Sequence, residues 1–398
     1  MKIDTMRSID YWVGIPLAFI LSNLLKIKRI FLKNKAKKPK NILLIELSEM
    51  GSTILADPLM QHLKKKYQGT LYFAIFSQNA ISLELLNTVE KKNIFVFREH
   101  SLLTLIIDFF KYIFWCRKKK IDTVFDLELF SRVTALLTGV SGAGNTIGFH
   151  SFYQEGLYRG DMLTHKVSYN SHIHISKNFM ALANSLDCEV DDKPYSKTII
   201  ADVKLQKVVI TEEQKETVRL EIKKRFNDFN NQRIVLINPN ASDLLPQRRW
   251  AKESFQIVIE SLLAKYEDIV VLITGSPNEF DEAEILTKKI ANNRCVNFAG
   301  GVSFLELPTL YDLSSVMLTN DSGPGHFSSI TNMPTIVLFG PETPNLYGSL
   351  GVGEAIYKGL ACSPCVSAHN HRKTPCNDNV CLQKITTDEV LIALDKYL

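Results

Sequence analysis

At 398 residues, 45% hydrophobic and 22% charged, the chain is globular in composition and too long for one ordinary core, so two domains are expected. A net charge of +5 is too mild for a dedicated nucleic-acid binder. Seven cysteines at mostly unpaired spacings, with no cleavable leader pattern, point to a reducing, cytosolic setting.

The first forty residues are unlike the rest. Residues 11–25, YWVGIPLAFILSNLL, are apolar yet carry Pro16, Ser22 and Asn23, and the run falls about five residues short of a comfortable spanning helix. Eight Lys or Arg lie between Lys26 and Lys40, and no small-residue cleavage site follows, which argues against a signal peptide. An apolar wedge beside a polybasic stretch is the two-part signal that holds a protein on an anionic cytoplasmic leaflet. No domain surface is evident for the wedge to pack on. Residues 1–40 are therefore expected to form a membrane-associating helix and a basic linker.

From Asn41 an alternating α/β pattern begins. Residues 42–45 (ILLI) read as a buried strand, followed by the turn Glu46-Leu47-Ser48-Glu49-Met50-Gly51-Ser52-Thr53 and a helix over 54–67 ending in KKKY. Strands over 71–76, 94–97 and 123–126 and an apolar helix over 102–114 continue the pattern. Ligands of such sheets gather beyond the carboxyl ends of strands, so Glu46, Ser48, Glu49 and Asp126 are expected on one rim. Residues 145–176 read as irregular and hold His150, Tyr153, Glu155, Tyr158, Arg159, His165, His172 and His174. So long a structureless run is more often functional than idle, and aromatics with Arg suit stacking on sugar rings and gripping an acidic group. The histidine spacing matches no metal template.

A polar helix over 211–226 separates the halves, with the boundary placed at 200, giving domains 41–200 and 201–398. The second half restarts with a strand over 234–238, leading into Pro239-Asn240-Ala241-Ser242 and Gln247-Arg248-Arg249-Trp250. A helix over 253–266, a strand over 269–274 and the turn Gly275-Ser276-Pro277-Asn278-Glu279 come next. Helices over 279–291 and 304–312 flank a brief strand at 296–297.

Residues 314–340, SSVMLTNDSGPGHFSSITNMPTIVLFG, then read as strand 316–319, turn, helix 325–333 stopped by Pro334, and strand 335–339. The glycine-rich turn lies at a strand's carboxyl end and a helix N-terminus. Free backbone N–H groups and the positive end of the helix dipole meet there, so a phosphate or diphosphate is the natural guest. His326 can donate to a phosphate oxygen or leaving group. Cys362, Cys365, Cys376 and Cys381 form CxxC-x10-CxxxxC, a spacing compatible with a structural zinc. The last helix begins with the capping box Thr386-x-x-Glu389. Two successive α/β halves imply a cleft.

Five pieces, ILLIELSEMGSTILADPL, ASDLLPQRRW, ITGSP, NDSGPGHFSSITNMPTIVLFGPETP and CSPC, together resemble glycosyltransferase family 9, the heptosyltransferases of lipopolysaccharide assembly, from Asn41 onward. The resemblance implies a GT-B fold, two Rossmann-like domains facing across a cleft, with the nucleotide-sugar donor on the C-terminal one. It implies an inverting transfer that needs no divalent metal or other cofactor, and the chain has no Asp-x-Asp metal clamp in a plausible place. The implied donor is an ADP-linked, heptose-like sugar, and the implied acceptor a glycolipid or lipopolysaccharide core. With the basic N-terminus, that places the protein on the cytoplasmic side of the inner membrane.

Carried over by position, Asp321, Ser322, Gly323, Gly325 and His326 match the family's donor-diphosphate loop. Arg248, two residues before a Trp, matches the basic residue that pairs with the leaving diphosphate. Asn240 and Ser242 share its strand end and could touch phosphate or sugar, and Glu279 is a candidate for the nucleoside ribose. One departure stands out. The family carries Gly-Asp after its first strand, the Asp acting as general base, whereas this chain has Gly51-Ser52. A serine does not accept a proton usefully near pH 7, so Glu49, and after it Glu46, is the expected base. Two other readings stay open: a catalytically impaired sugar-nucleotide-binding protein, which Ser52 favours, and a GT-B sugar-nucleotide epimerase.

Overall fold

The β-branched and aliphatic runs build two six-stranded, wholly parallel sheets, one in each half of the chain. The computed structural model describes residues 3–31, 38–129, 131–153, 157–188 and 196–398. Part of the basic stretch (32–37) and Glu155 lie outside the described residues. One unit holds Met1–Val203 with Ala368–Asn370, the other Lys204–Ser367 with His371–Leu398.

The first unit runs α1 (Ile3–Trp12), α2 (Gly14–Phe31), β1 (Asn41–Ile45), α3 (Met50–Leu55), α4 (Asp57–Tyr67), β2 (Thr70–Phe76), α5 (Ile81–Leu86) and β3 (Ile94–Phe97). It continues with α6 (Leu102–Lys118), β4 (Thr123–Asp126), α7 (Arg132–Val140), β5 (Asn145–Phe149), β6 (His165–Val167) and α8 (Ile175–Asn184). Its sheet order is β3-β2-β1-β4-β5-β6. The helix expected over 54–67 is two helices, because Pro58 stands at the start of α4, where its missing N–H suits a new first turn and breaks the preceding ladder.

The stretch expected to be irregular, 145–176, contains β5 and β6. NTIGF and HKV carry little strand signal of their own and are strands because they pair onto β4 and onto each other. Arg159 does not face a ligand. It donates to Ser131 O (2.8 Å), Phe149 O (3.1 Å) and Thr134 Oγ1 (3.1 Å) and pairs with the buried Asp126. His165 is buried against Thr164, and His174 caps α8, so both serve the fold.

The N-terminal apolar run does have a surface to pack on. Ala18, Leu21 and Leu25 of α2 meet Ala135, Leu136 and Met162. Ser22 Oγ donates to Ala18 O (2.6 Å) and accepts from Asp161 N (2.7 Å). Gly160, at φ +75°, lets the chain pass this close; a Cβ there would lie 2.3 Å from Ser22 Oγ. Asp10 accepts from the N–H groups of Arg132 (2.9 Å) and Val133 (3.0 Å), supplying acceptors to the free first turn of α7. No single described helix is long and apolar enough to cross a membrane; α1 and α2 meet that test only as a pair bent by 41°.

The second unit runs α9 (Glu212–Arg225), β7 (Arg233–Asn238), α10 (Lys252–Lys265), β8 (Ile269–Ile273), α11 (Phe280–Ile290), β9 (Cys295–Asn297), α12 (Leu307–Asp312) and β10 (Val316–Asn320). Then come α13 (Gly323–Phe327), β11 (Thr335–Phe339), α14 (Pro344–Tyr347), β12 (Gly353–Tyr357), α15 (Val380–Gln383) and α16 (Thr387–Asp395). The order β12-β11-β10-β7-β8-β9 repeats the first sheet's topology. The helix expected over 325–333 is a single turn, α13, followed by a 3-10 turn at Ser328–Ile330. Ser328 and Thr331 return their hydroxyls to Gly325 O (3.2 Å) and Ser328 O (2.8 Å), competing with a helical ladder.

The buried Asp126–Arg159 pair gives a stability test. Burial pushes the Asp126 carboxyl up to about 6, against the pull of Arg159. Arg159→Met leaves that carboxylate unpaired and should cost about 3–5 kcal/mol at pH 7 in urea unfolding followed by circular dichroism. The loss should shrink toward pH 5, where Asp126 takes up a proton in the wild type as well.

Candidate active site

Both sheets reverse their winding direction at a central pair of strands, β1 beside β4 and β7 beside β10. Helices leave such a pair in opposite directions, so the space beyond its carboxyl ends stays open. Most of the predicted site residues fall at these two points.

In the second unit Asn320 ties the strand ends together. Its Oδ1 accepts from Trp250 N (3.0 Å) and its Nδ2 donates to Pro239 O (2.8 Å), fixing the loop after β7 against the loop after β10. Arg248 is thereby held over the Asp321–Gly325 turn. Its Nε lies 3.3 Å from Asp321 Oδ2, and its Nη2 lies 3.1 Å from Glu342 Oε1. Arg372 approaches the same Glu342 oxygen (3.7 Å), donates to Tyr347 Oη (2.8 Å) and lies 5.0 Å over that ring. Glu342 and Arg372 were not among the expected residues. Glu342 lay within the GPETP piece, and nothing local marks it; only its burial beside Arg248 does.

Burial pushes the Glu342 carboxyl up to about 8, against the pull of Arg248 and with the push of Asp321. Asp321 is raised by burial too, with Arg248 opposing. Burial, aided by the Asp321 charge, outweighs the pull of Arg248, so Glu342 holds a proton near neutrality. Asn240 Nδ2 and Glu342 Oε2 are buried here without a hydrogen-bond partner, and Arg248 Nε and Asp321 Oδ2 meet only as an ion pair. Unsatisfied groups at this density are costly unless a ligand completes them.

The other donor-side residues are placed less uniformly. Ser322 Oγ lies 3.1 Å from Asn320 O, and Gly323, Gly325 and His326 form α13, which is too short for much of a dipole. Ser242 is exposed and its Oγ accepts from Leu244 N (3.3 Å). Glu279 accepts from Ser276 N (2.5 Å) in a capping box, so this carboxylate oxygen is already engaged with the loop.

The cysteine-bearing segment buttresses this site. Cys365 N donates to Pro341 O (3.0 Å), beside Glu342. Cys376 O accepts from Gln247 (2.8 Å), and Asn379 donates to Arg249 O (3.0 Å), on either side of Arg248. None of the four cysteines is in a disulfide; Cys362 is exposed and Cys381 buried. Among the described residues no group of three or more His, Cys, Asp or Glu is placed to hold a metal ion.

In the first unit Glu128 clamps the loop after β1, accepting from Leu47 N (3.0 Å), Ser48 N (2.9 Å) and Ser48 Oγ (2.6 Å). Asn79 donates to Leu47 O (2.7 Å) from the other side. Glu46 is buried beneath this loop, whereas Glu49 is half-buried at the start of α3. Ser52 Oγ donates to Glu49 Oε2 (3.2 Å). Ser52 thus keeps a carboxylate in its neighbourhood.

The model of glycosyltransferase family 9 (heptosyltransferase) matches residues 116–374. Lipooligosaccharide heptosyltransferase 2 of Campylobacter jejuni is 22% identical over 42% of this chain, which spans about half (52%) of that protein. Lipopolysaccharide core heptosyltransferase OpsX of Haemophilus influenzae is 22% identical over 77% of this chain and 80% of its own length. The structure of the E. coli ADP-heptose lipopolysaccharide heptosyltransferase II superposes with a TM-score of 0.69 at 18% identity, over 90% of this chain and 98% of that one. The chain shares its GT-B fold.

The proton on Glu342 sets a pH dependence. The folded state keeps it up to about pH 8, whereas the unfolded chain releases it near its ordinary 4.5. Stability is therefore full below that lower value and lost as pH rises through the folded one, with a slope of up to about 1.4 kcal/mol per pH unit. Glu342→Gln should remove this slope, so its melting temperature relative to wild type rises between pH 5 and pH 8. Parallel curves would place the proton elsewhere.

Proposed function

The chain belongs to glycosyltransferase family 9, which matches residues 116–374, and from that premise we propose that it transfers a heptose-like sugar from an ADP-linked donor to a lipopolysaccharide-type or lipid-linked acceptor. The relatives are named heptosyltransferases, and one structural neighbour is named for ADP-heptose, which supports this donor. The second unit binds the donor and the first binds the acceptor. The observation that carries the reading is the buried Arg248–Asp321–Glu342 cluster at the β7/β10 reversal, with polar atoms awaiting a partner.

The reaction is an in-line displacement with inversion. Glu49 takes the proton of the acceptor hydroxyl, whose oxygen bonds the anomeric carbon while the bond to the donor diphosphate breaks. The electron pair leaves with the nucleoside diphosphate, through a transition state of oxocarbenium character. Arg248, His326 and the Ser322–Gly325 amides stabilise the departing charge; such preorganised donors are usually the largest single contribution. Ser52 holds Glu49 for its role, and Glu46, being buried, stands second. Asn240 and Ser242 line the donor side. Transfer requires no divalent metal, so turnover should persist in excess chelator. The protein works at the cytoplasmic face of the inner membrane, attached peripherally through α1, α2 and the basic stretch.

A thermal-shift screen of the full chain against ADP-, UDP-, GDP- and CDP-sugars tests the donor. Selective stabilisation by the ADP-sugar is expected, and stabilisation by none would sink the assignment of the 320–326 turn. Glu49→Gln should lower kcat by about 10²–10⁴-fold while keeping the donor's thermal shift. Adding Ser52→Asp should recover part of that loss. Wild-type turnover in Glu49→Gln would pass the role to Glu46.

A further inference from the structure

The exposed apolar surface of the first unit is concentrated on one helical layer. α6 and α7 cover the same face of the sheet: Tyr112 and Cys116 from α6 share a core with Leu137 from α7 and with Leu43, Ile45 and Val124 of the strands. α2 lies against α7 in turn, through Ala18 and Ala135. Two ridges stand on the outer side of these helices.

On α2 the ridge is Leu17, Ile20, Leu24, Ile27 and Phe31, all exposed at helical spacing. On α6 it is Leu103, Ile106, Phe110 and Phe114, with relative exposures of 67%, 46%, 58% and 76%. A helix that faced water on this side would carry mixed charge, and neither does. α2 contains no Asp or Glu, and the one acid of α6, Asp108, is turned inward and paired with Arg98 (2.6 Å). The exposed charges on the two helices are basic: Lys26, which meets Asp161 at 3.6 Å, and Lys28 on α2, Lys111 and Lys118 on α6, and Lys120 just beyond.

Aromatic and aliphatic ridges edged by lysines, with no exposed carboxylate on either helix, complement an anionic lipid surface in both polarity and charge. One apolar wedge is a marginal anchor and two make a lasting one. We propose that α6 is a second membrane-inserting element, so that the first unit docks on an anionic bilayer through α2 and α6 together. The inference rests on the membrane attachment proposed above and extends it to an internal helix that the sequence did not mark for this role.

Co-sedimentation of the full chain with phosphatidylcholine vesicles, with and without phosphatidylglycerol, is the test. Wild type should bind the phosphatidylglycerol vesicles, and Phe110→Glu/Phe114→Glu should weaken that binding by about tenfold or more with an unchanged melting temperature, because both rings face solvent. Ile20→Glu/Leu24→Glu should do the same through α2. If the α2 variant loses binding and the α6 variant matches wild type, the role of α6 is refuted while membrane attachment stands. If wild type binds neither vesicle, the attachment itself fails. If the α6 variant instead dissociates an oligomer in light scattering without lipid, the ridge belongs to a second copy of the chain and the proposal is overturned.

Discussion

Everything at the candidate site follows from parallel strand pairing at two reversals of winding, β1 with β4 and β7 with β10. Parallel strands need crossover connections, and where the crossovers diverge the carboxyl ends are left uncovered. Glu46, Glu49 and Glu128 reach one such opening, and Asn240, Arg248 and Asp321 the other. Residues far apart in the chain become neighbours because their strands do: Asn320 of β10 fixes Trp250, and with it Arg248, across 70 positions of sequence.

The two buried arginines show how the same chemistry serves opposite ends. Arg159 has carbonyls, a hydroxyl and a carboxylate around it, and it locks the 157–160 segment to the sheet. Arg248 sits between two carboxylates in a site where its own Nε and two carboxylate oxygens lack hydrogen-bond partners. Arg159 is a structural fastener with several neutral acceptors, whereas Arg248 is held, among the described residues, by carboxylates alone. The proton on Glu342 belongs to the same economy of charge, since it spares the cluster a second uncompensated anion. The cysteine segment then reads as a scaffold around Pro341–Glu342 and Gln247–Arg249, reached through hydrogen bonds to backbone carbonyls.

On the first unit, the turn after β1 keeps a carboxylate beside Ser52. Ser52 is held near Glu49, while Glu128, also at this rim, is spent on the loop backbone. Of the three acids near the loop, Glu46 is buried and Glu128 is engaged by the loop backbone, whereas Glu49 stands half-buried at a helix start.

By itself the sequence determined the alternation of strands and helices, the family and the glycine-rich turn after β10. These rest on local patterns: apolar runs of strand length, glycines in a turn and a cap before a helix. It misjudged β5, β6 and the length of the helix after Gly325, where pairing and serine hydroxyls override propensity. Only the tertiary structure decided that Arg159 is a fastener, that Glu342 and Arg372 join Arg248, that the N-terminal apolar run packs on α7, and that the outer face of α6 stays bare. Each of those facts depends on what surrounds a side chain in space, and burial and neighbouring charge are properties of the folded chain rather than of any stretch of it.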